Sequence, residues 1–235
     1  MHKQSYWSGI DLKLVELAKN GYVKLPSLEQ FDLNALAINI NSDINGATFS
    51  ELCGSHKLFL QNIGLEEYLT PKLFEIARDC LGFTGDISNQ YHIARRVEPG
   101  NSRELYRSHF DSHLFTMVLP IKIPSAPIGE SVGELLYLPR ARKPPKTEFG
   151  NFLGKAVFKR FANKKRMEQL AMRDDLRVDD FQDYRPLLFV GNTTLHTNRQ
   201  VSQMCSSYRL TLLAHFFDPS PRYGVGSFLR SIRSR

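Results

Sequence analysis

The sequence predicts an α+β protein with a mainly β core, in which a helical first third supports an antiparallel sandwich or barrel. Three observations lead there. Apolar residues recur at roughly helical spacing through much of the first 85 positions. Beyond Gly85 the texture changes to short runs rich in β-branched and aromatic residues. Turn residues separate those runs, at Glu98-Pro99-Gly100-Asn101, Pro124 to Gly129, Gly191-Asn192 and Asp218-Pro219, which suits antiparallel pairing better than alternating β and α units.

The elements follow in order. Ile10, Leu12, Leu14, Val15, Leu17 and Ala18 mark a helix that stops at Asn20-Gly21, and Tyr22 to Leu25 is an extended run ahead of Pro26. Asp32 to Ile40 reads as a short helix and residues 41–55 as a polar loop. Thr70 to Cys80 reads as a helix with Pro71 in its first turn and Leu81-Gly82 at its end. Strands are expected over Tyr91 to Val97, His109 to Pro124, Gly133 to Leu138, Pro186 to Val190 and Tyr208 to Phe217. One segment breaks the β pattern. From Glu148 to Leu170, Phe149, Phe152, Leu153, Ala156, Val157 and Phe161 fall three and four apart with Lys155, Lys159, Arg160 and Lys164 between them, the pattern of a basic amphipathic helix.

Length and composition fit one domain, residues 1–235: a helical support over 1–85 and a β core over 86–235 with the basic insertion at 140–183. The net charge of +7 is concentrated, because Arg140 to Arg177 holds 12 Lys/Arg against 4 Asp/Glu and the remainder is slightly acidic. Any anionic partner is expected to meet that segment. Cys53, Cys80 and Cys205 have neither disulfide nor zinc spacing. With no long apolar run and no leader-like start, a soluble cytoplasmic protein is expected.

Chemistry concentrates in two stretches of the β region. In Ser108-His109-Phe110-Asp111-Ser112-His113, extended backbone turns residues two apart to one face, so His109 and Asp111 present an imidazole and a carboxylate together. Two histidines and one carboxylate on one octahedral face are the ligand set of oxygen-activating non-haem iron. A third ligand candidate is His196, which follows the strand and turn Phe189-Val190-Gly191-Asn192. Further on, Ser207-Tyr208-Arg209-Leu210-Thr211 places a guanidinium and a hydroxyl on one face, able to grip one carboxylate.

The ordered set His109-x-Asp111, His196, Arg209-x-Thr211 resembles the Fe(II)- and 2-oxoglutarate-dependent oxygenases, and among them the phytanoyl-CoA dioxygenase type. Outside the basic insertion, the resemblance extends to the helix-then-strand start ending Asn20-Gly21-Tyr22-Val23 and to Tyr91. It implies a double-stranded β-helix, the jelly-roll or cupin-like fold. It also implies Fe(II) on His109, Asp111 and His196, with 2-oxoglutarate on Arg209 and Thr211 and Tyr91 as a second contact. The reaction implied consumes O2, releases succinate and carbon dioxide, and in its simplest form hydroxylates a C–H bond, with desaturation or ring formation open because those paths diverge only after hydrogen abstraction. In related halogenases the carboxylate ligand is missing, so Asp111 argues against that variant.

Ordinary readings stand beside these. His113 shares parity with His109 and Asp111 and is a rival ligand, but lining the substrate channel or simply packing suits it better; Arg107, otherwise a surface arginine, and Arg95 are further substrate-side candidates. His215 shares parity with Arg209 and Thr211, yet a satisfied core histidine is the simpler reading. The basic helix packs its apolar stripe on the barrel and exposes its charges, covers a carrier- or CoA-linked anionic substrate, or lies on an anionic membrane through residues 148–170. Nucleic acid is not expected, because interleaved aromatic and basic strands are missing. The alternative of another class is a non-catalytic, cupin-like binding protein that uses the barrel and the basic surface, for an anion, a lipid or nucleic acid, without turnover.

Overall fold

The computed structural model describes residues 3–45, 47–51, 54–101, 108–144, 164–172 and 176–219. In chain order the elements are α1 (Lys3–Tyr6), α2 (Ile10–Asn20), β1 (Tyr22–Lys24), α3 (Leu33–Ile44), β2 (Phe49–Glu51), α4 (Gly54–Asn62), a single π turn (Leu65–Leu69) and α5 (Thr70–Leu81). Then come β3 (Gln90–Val97), β4 (Phe115–Lys122), β5 (Leu135–Leu138), α6 (Lys164–Met172), β6 (Arg177–Asp179), β7 (Leu187–Val190), β8 (Leu195–Asn198) and β9 (Arg209–Phe216).

Local signals place the helices. α2 ends where Gly21 takes a left-handed φ of 81° and its N–H donates to the Leu17 carbonyl at 2.7 Å, a conformation that favours glycine. At the start of α3 the Asp32 carboxylate accepts from the Ala35 N–H at 3.0 Å, and α5 carries Pro71 in its first turn and Gly82 at its end.

The strands form two antiparallel sheets, one of six strands in the order β1-β7-β4-β9-β3-β2 and one of three in the order β6-β5-β8. Alternation decides what each face buries. Met117, Leu119, Leu210, Leu212, Ala214 and Phe216 point from the large sheet onto Leu14, Leu17, Leu69, Leu73 and Ala77 of the helical layer. Shortening one of these buried leucines to alanine costs about 2–5 kcal/mol. On its other face Val118, Leu187 and Phe189 meet Leu135 and Tyr137 of the small sheet. The small sheet's outer face, Leu136 and Leu195, is covered by Met167 of α6 together with Phe110 and Leu176. Along β4 the pairing to β9 slips between Pro120 and Lys122, where proline has no N–H to give.

Two expectations change. Residues 41–55, expected as a polar loop, hold the last turn of α3, all of β2 and the start of α4. β2 pairs only with β3 and is mostly exposed, so no apolar alternation announces it. The expected helix over Glu148 to Leu170 is described only from Lys164, where α6 runs on to Met172; residues 145–163 lie outside the described residues. Among the described residues no helix is long and apolar enough to cross a membrane.

Candidate metal centre and the pocket beside it

His109 lies ahead of β4 in extended backbone and is bridged to β8, its N–H donating to the His196 carbonyl at 3.0 Å and the His196 N–H returning to the His109 carbonyl at 3.1 Å. That bridge sets the two imidazoles together, ring centres 4.3 Å apart. Phe110 turns the other way into the cluster beneath α6, and Asp111 turns back to the histidines as its spacing predicts. Asp111 Oδ1 is 3.5 Å from His109 Nε2 and 3.6 Å from His196 Nε2, and the three ligand atoms lie within 4.8 Å of one another. Bonds of about 2.1 Å from a central ion reach donors so spaced.

The remaining polar atoms of Asp111 and His196 are committed elsewhere. His196 Nδ1 sits 3.1 Å from the Thr194 carbonyl, which makes Nδ1 the protonated nitrogen and leaves the Nε2 lone pair for an ion. Asp111 Oδ2 accepts from Thr116 Oγ1 at 2.5 Å, and that oxygen lies 3.1 Å from His215 Nδ1. Gly191 permits this packing: a Cβ there would stand 2.8 Å from Thr116 Oγ1, 2.9 Å from the His113 carbonyl and 3.1 Å from Asp111 Cβ.

Charge at the site follows from burial and neighbours. Burial pushes His196 down to about 4 against the pull of Asp111, so its imidazole is neutral near pH 7. Burial alone would raise Asp111, but the charge of His196, the hydrogen bond from His109 and the charges of His215 and His109 together hold it well below the usual carboxylate range. A neutral nitrogen donor beside an ionised carboxylate suits a divalent first-row metal, and two histidines with one carboxylate fit Fe(II). Asp111 and His196 are only 9% exposed while His109 is 54% exposed, so the site opens on the His109 side.

Arg209 and Thr211 are both buried on the inner face of β9, opposite Val97 and Arg95 of β3. The guanidinium donates through Nη1 to the Gly133 carbonyl, stands 5.4 Å from the Phe181 ring centre and forms no ion pair among the described residues; its Nε is buried with no hydrogen-bond partner. Burial, then the charge of Arg95, lowers Arg209 to about 9 despite Glu134 and Asp179. A cavity bounded by Arg95, Val97, Asn198, Val201 and Arg209 lies against it, and Arg95 Nη1 donates to Asn198 Oδ1 at 2.7 Å. Asn198 is two residues beyond His196 on β8, on the same face, a rise of about 7 Å. The cavity and the His-Asp-His group thus share one strand.

Other expected residues fall elsewhere. Tyr91 stands opposite His215, six positions along β3 from the residue facing Arg209; its hydroxyl donates to Glu51 at 3.1 Å and its ring lies beside those of His113 and His215. It is therefore at the metal end and is not brought to Arg209. His113 stacks on His215 at 5.0 Å and is not among the clustered ligand atoms. Arg95 faces the cavity of Arg209, and Arg107 lies outside the described residues. His215 is buried, as a core histidine should be, but its hydroxyl partner leads to Asp111. Thr116, Gly191 and Asn198 join the site without having been singled out; Thr116 and Gly191 in particular become legible only when β4, β7 and β9 are aligned.

Neither a family model nor a curated protein matches the sequence. Solved structures match in fold. A prolyl-4-hydroxylase from Pseudomonas putida aligns with a TM-score of 0.51 at 10% identity, over 88% of this chain and 97% of its own. One from Phytophthora capsici aligns at 0.57 and 12%, over 99% and 73%. The non-haem α-ketoglutarate-dependent carbocyclase SnoK of nogalamycin biosynthesis aligns at 0.50 and 11%, over 92% and 89%. The chain has the fold of these enzymes. The likeness is one of fold, and the three ligand candidates identified above are this chain's own evidence for a metal site.

Proposed function

We propose that residues 1–235 form a single double-stranded β-helix oxygenase of the phytanoyl-CoA dioxygenase type. It holds Fe(II) on His109, Asp111 and His196 and 2-oxoglutarate on Arg209 and Thr211, and it hydroxylates an unactivated C–H bond of a small or carrier-linked substrate. The observation that carries this reading is the pairing on one strand path of the His-Asp-His group with a cavity walled by a buried arginine whose Nε has no partner. Buried donors are normally satisfied, and Arg209, with no ion pair among the described residues, has hydrogen-bonding capacity left for a carboxylate.

Bound together, Fe(II) and 2-oxoglutarate supply the oxygen-activating chemistry, with succinate and carbon dioxide as products. The chain does the rest. Thr194 fixes the tautomer of His196, and Thr116 fixes one oxygen of Asp111. Arg209, with Thr211 beside it and Arg95 across the pair of strands, neutralises and orients the far carboxylate of the co-substrate. Val118, Tyr137, Phe189 and Leu213 wall the interior with apolar surface and keep bulk water from it. Substrate approaches over the exposed side of His109, past His113 and Tyr91. The basic segment of residues 140–183 favours an anionic carrier, with peripheral membrane contact as a secondary role for residues 148–170.

Succinate release from 2-oxoglutarate with Fe(II) and air, measured across acyl-CoA, acyl-carrier, amino-acid and lipid candidates, tests the reading. Substrate-stimulated succinate that disappears in His196→Ala is expected. No succinate with any candidate, from a protein that also fails to retain Fe(II), would instead favour a non-catalytic binding protein, and succinate that persists without metal would contradict the oxygenase reading.

A further inference from the structure

We infer that Thr116 and His215 are positioning residues that hold Asp111 as a one-oxygen ligand, keeping its second carboxylate oxygen away from the metal. The inference rests on the proposed metal site and concerns how this chain builds it. A carboxylate can bind a metal through one oxygen or two. If Asp111 used both, it would occupy a position that a bidentate co-substrate or oxygen requires.

The geometry opposes that. Oδ1 is directed at both imidazoles, at 3.5 and 3.6 Å, while Oδ2 is held by the Thr116 hydroxyl at 2.5 Å, a short charge-assisted bond in a site where Thr116 is 2% exposed. Threonine has one hydroxyl hydrogen, and an ionised carboxylate can only accept. The hydrogen therefore points at Asp111, and Thr116 Oγ1 must accept from His215 Nδ1–H at 3.1 Å. This fixes the tautomer of His215, whose ring is further braced by His113 and Tyr91. Register builds the chain of bonds: Thr116 stands directly opposite His215 across β4 and β9, and Gly191 leaves the space the hydroxyl occupies.

Anaerobic titration with Co(II), then with 2-oxoglutarate after Fe(II) loading, tests this without turnover. Thr116→Val should weaken Co(II) binding about 10- to 100-fold, and Thr116→Ser should return it to within about threefold of wild type. The ligand-field spectrum of Co(II) should change in Thr116→Val and revert in Thr116→Ser, which a packing role alone would not produce. Where Thr116→Val does not fold, Thr116→Ala removes the same hydroxyl without added bulk, and His215→Phe removes the donor while keeping the stacked ring. Wild-type affinity and an unchanged spectrum in the folded hydroxyl-deleted variant overturn this inference alone. Failure of the wild type to bind either metal overturns the metal site and this inference with it.

Discussion

The two ends of the space between the sheets are prepared in opposite ways. At the metal end, the polar atoms of Asp111 and His196 that do not face the centre are tied, Asp111 Oδ2 to Thr116 and His196 Nδ1 to the Thr194 carbonyl. At the Arg209 end, a buried guanidinium keeps a nitrogen without a partner. A bare ion brings no hydrogen bonds of its own, so its ligands must be aimed in advance. A dicarboxylate brings acceptors, so its site can leave donors open until it arrives. Each end is thus suited to a different class of guest, and the guests of this reading are an ion and a 2-oxo acid.

The sharpest way to break that contrast is to remove a ligand. Asp111→Ala should abolish Fe(II) binding and leave the Arg209 end folded, as measured by equilibrium dialysis and circular dichroism. Next in size, Arg209→Ala should retain metal while raising the 2-oxoglutarate requirement about 10- to 100-fold, as expected for losing about 1.5–3 kcal/mol of charge-assisted hydrogen bonding. Metal loss in Arg209→Ala would show that the ends are not separable.

His92 calibrates both from outside. It follows Tyr91 but points to the opposite face, beside the Phe216 ring, and burial, then the charge of His215, pushes it down to about 4. Its folded value is below the ordinary 6.5, so the unfolded chain takes the proton first as pH falls. Stability is therefore present above pH 6.5 and is lost between there and about 4, a loss of up to about 3 kcal/mol. Urea melts at pH 7 and pH 4.5 should show His92→Leu losing less stability than wild type across that interval. Smallest is Gly191→Ala, whose methyl would press on Thr116 and Asp111 and should cost about 1–3 kcal/mol in the same melts.

These contrasts show how much the sequence carried. His109-x-Asp111 and Arg209-x-Thr211 were legible because extended backbone sends residues two apart to one face whatever the rest of the chain does. The long strands β3, β4 and β9 and helices α2 and α5 were legible for the same local reason. Tyr91 was readable as a strand residue, but which end of the sheet it occupies depends on register, which is fixed by the Tyr91–His215 pairing and written in no local pattern. β2, β6 and α4 carry too few apolar residues in period to be visible. The Thr116–His215 contact joins residues 99 positions apart and exists only after β4 and β9 pair.

The central claim is that one chain binds a metal at the His-Asp-His end and a 2-oxo acid that reaches from it to Arg209. Anaerobic Fe(II) with 2-oxoglutarate tests both halves at once through the visible charge-transfer band of a chelated 2-oxo acid. Wild type should give the band, His196→Ala should give none, and Arg209→Ala should give it only at raised 2-oxoglutarate. A wild type without the band, or a band that survives His196→Ala unchanged, contradicts the account.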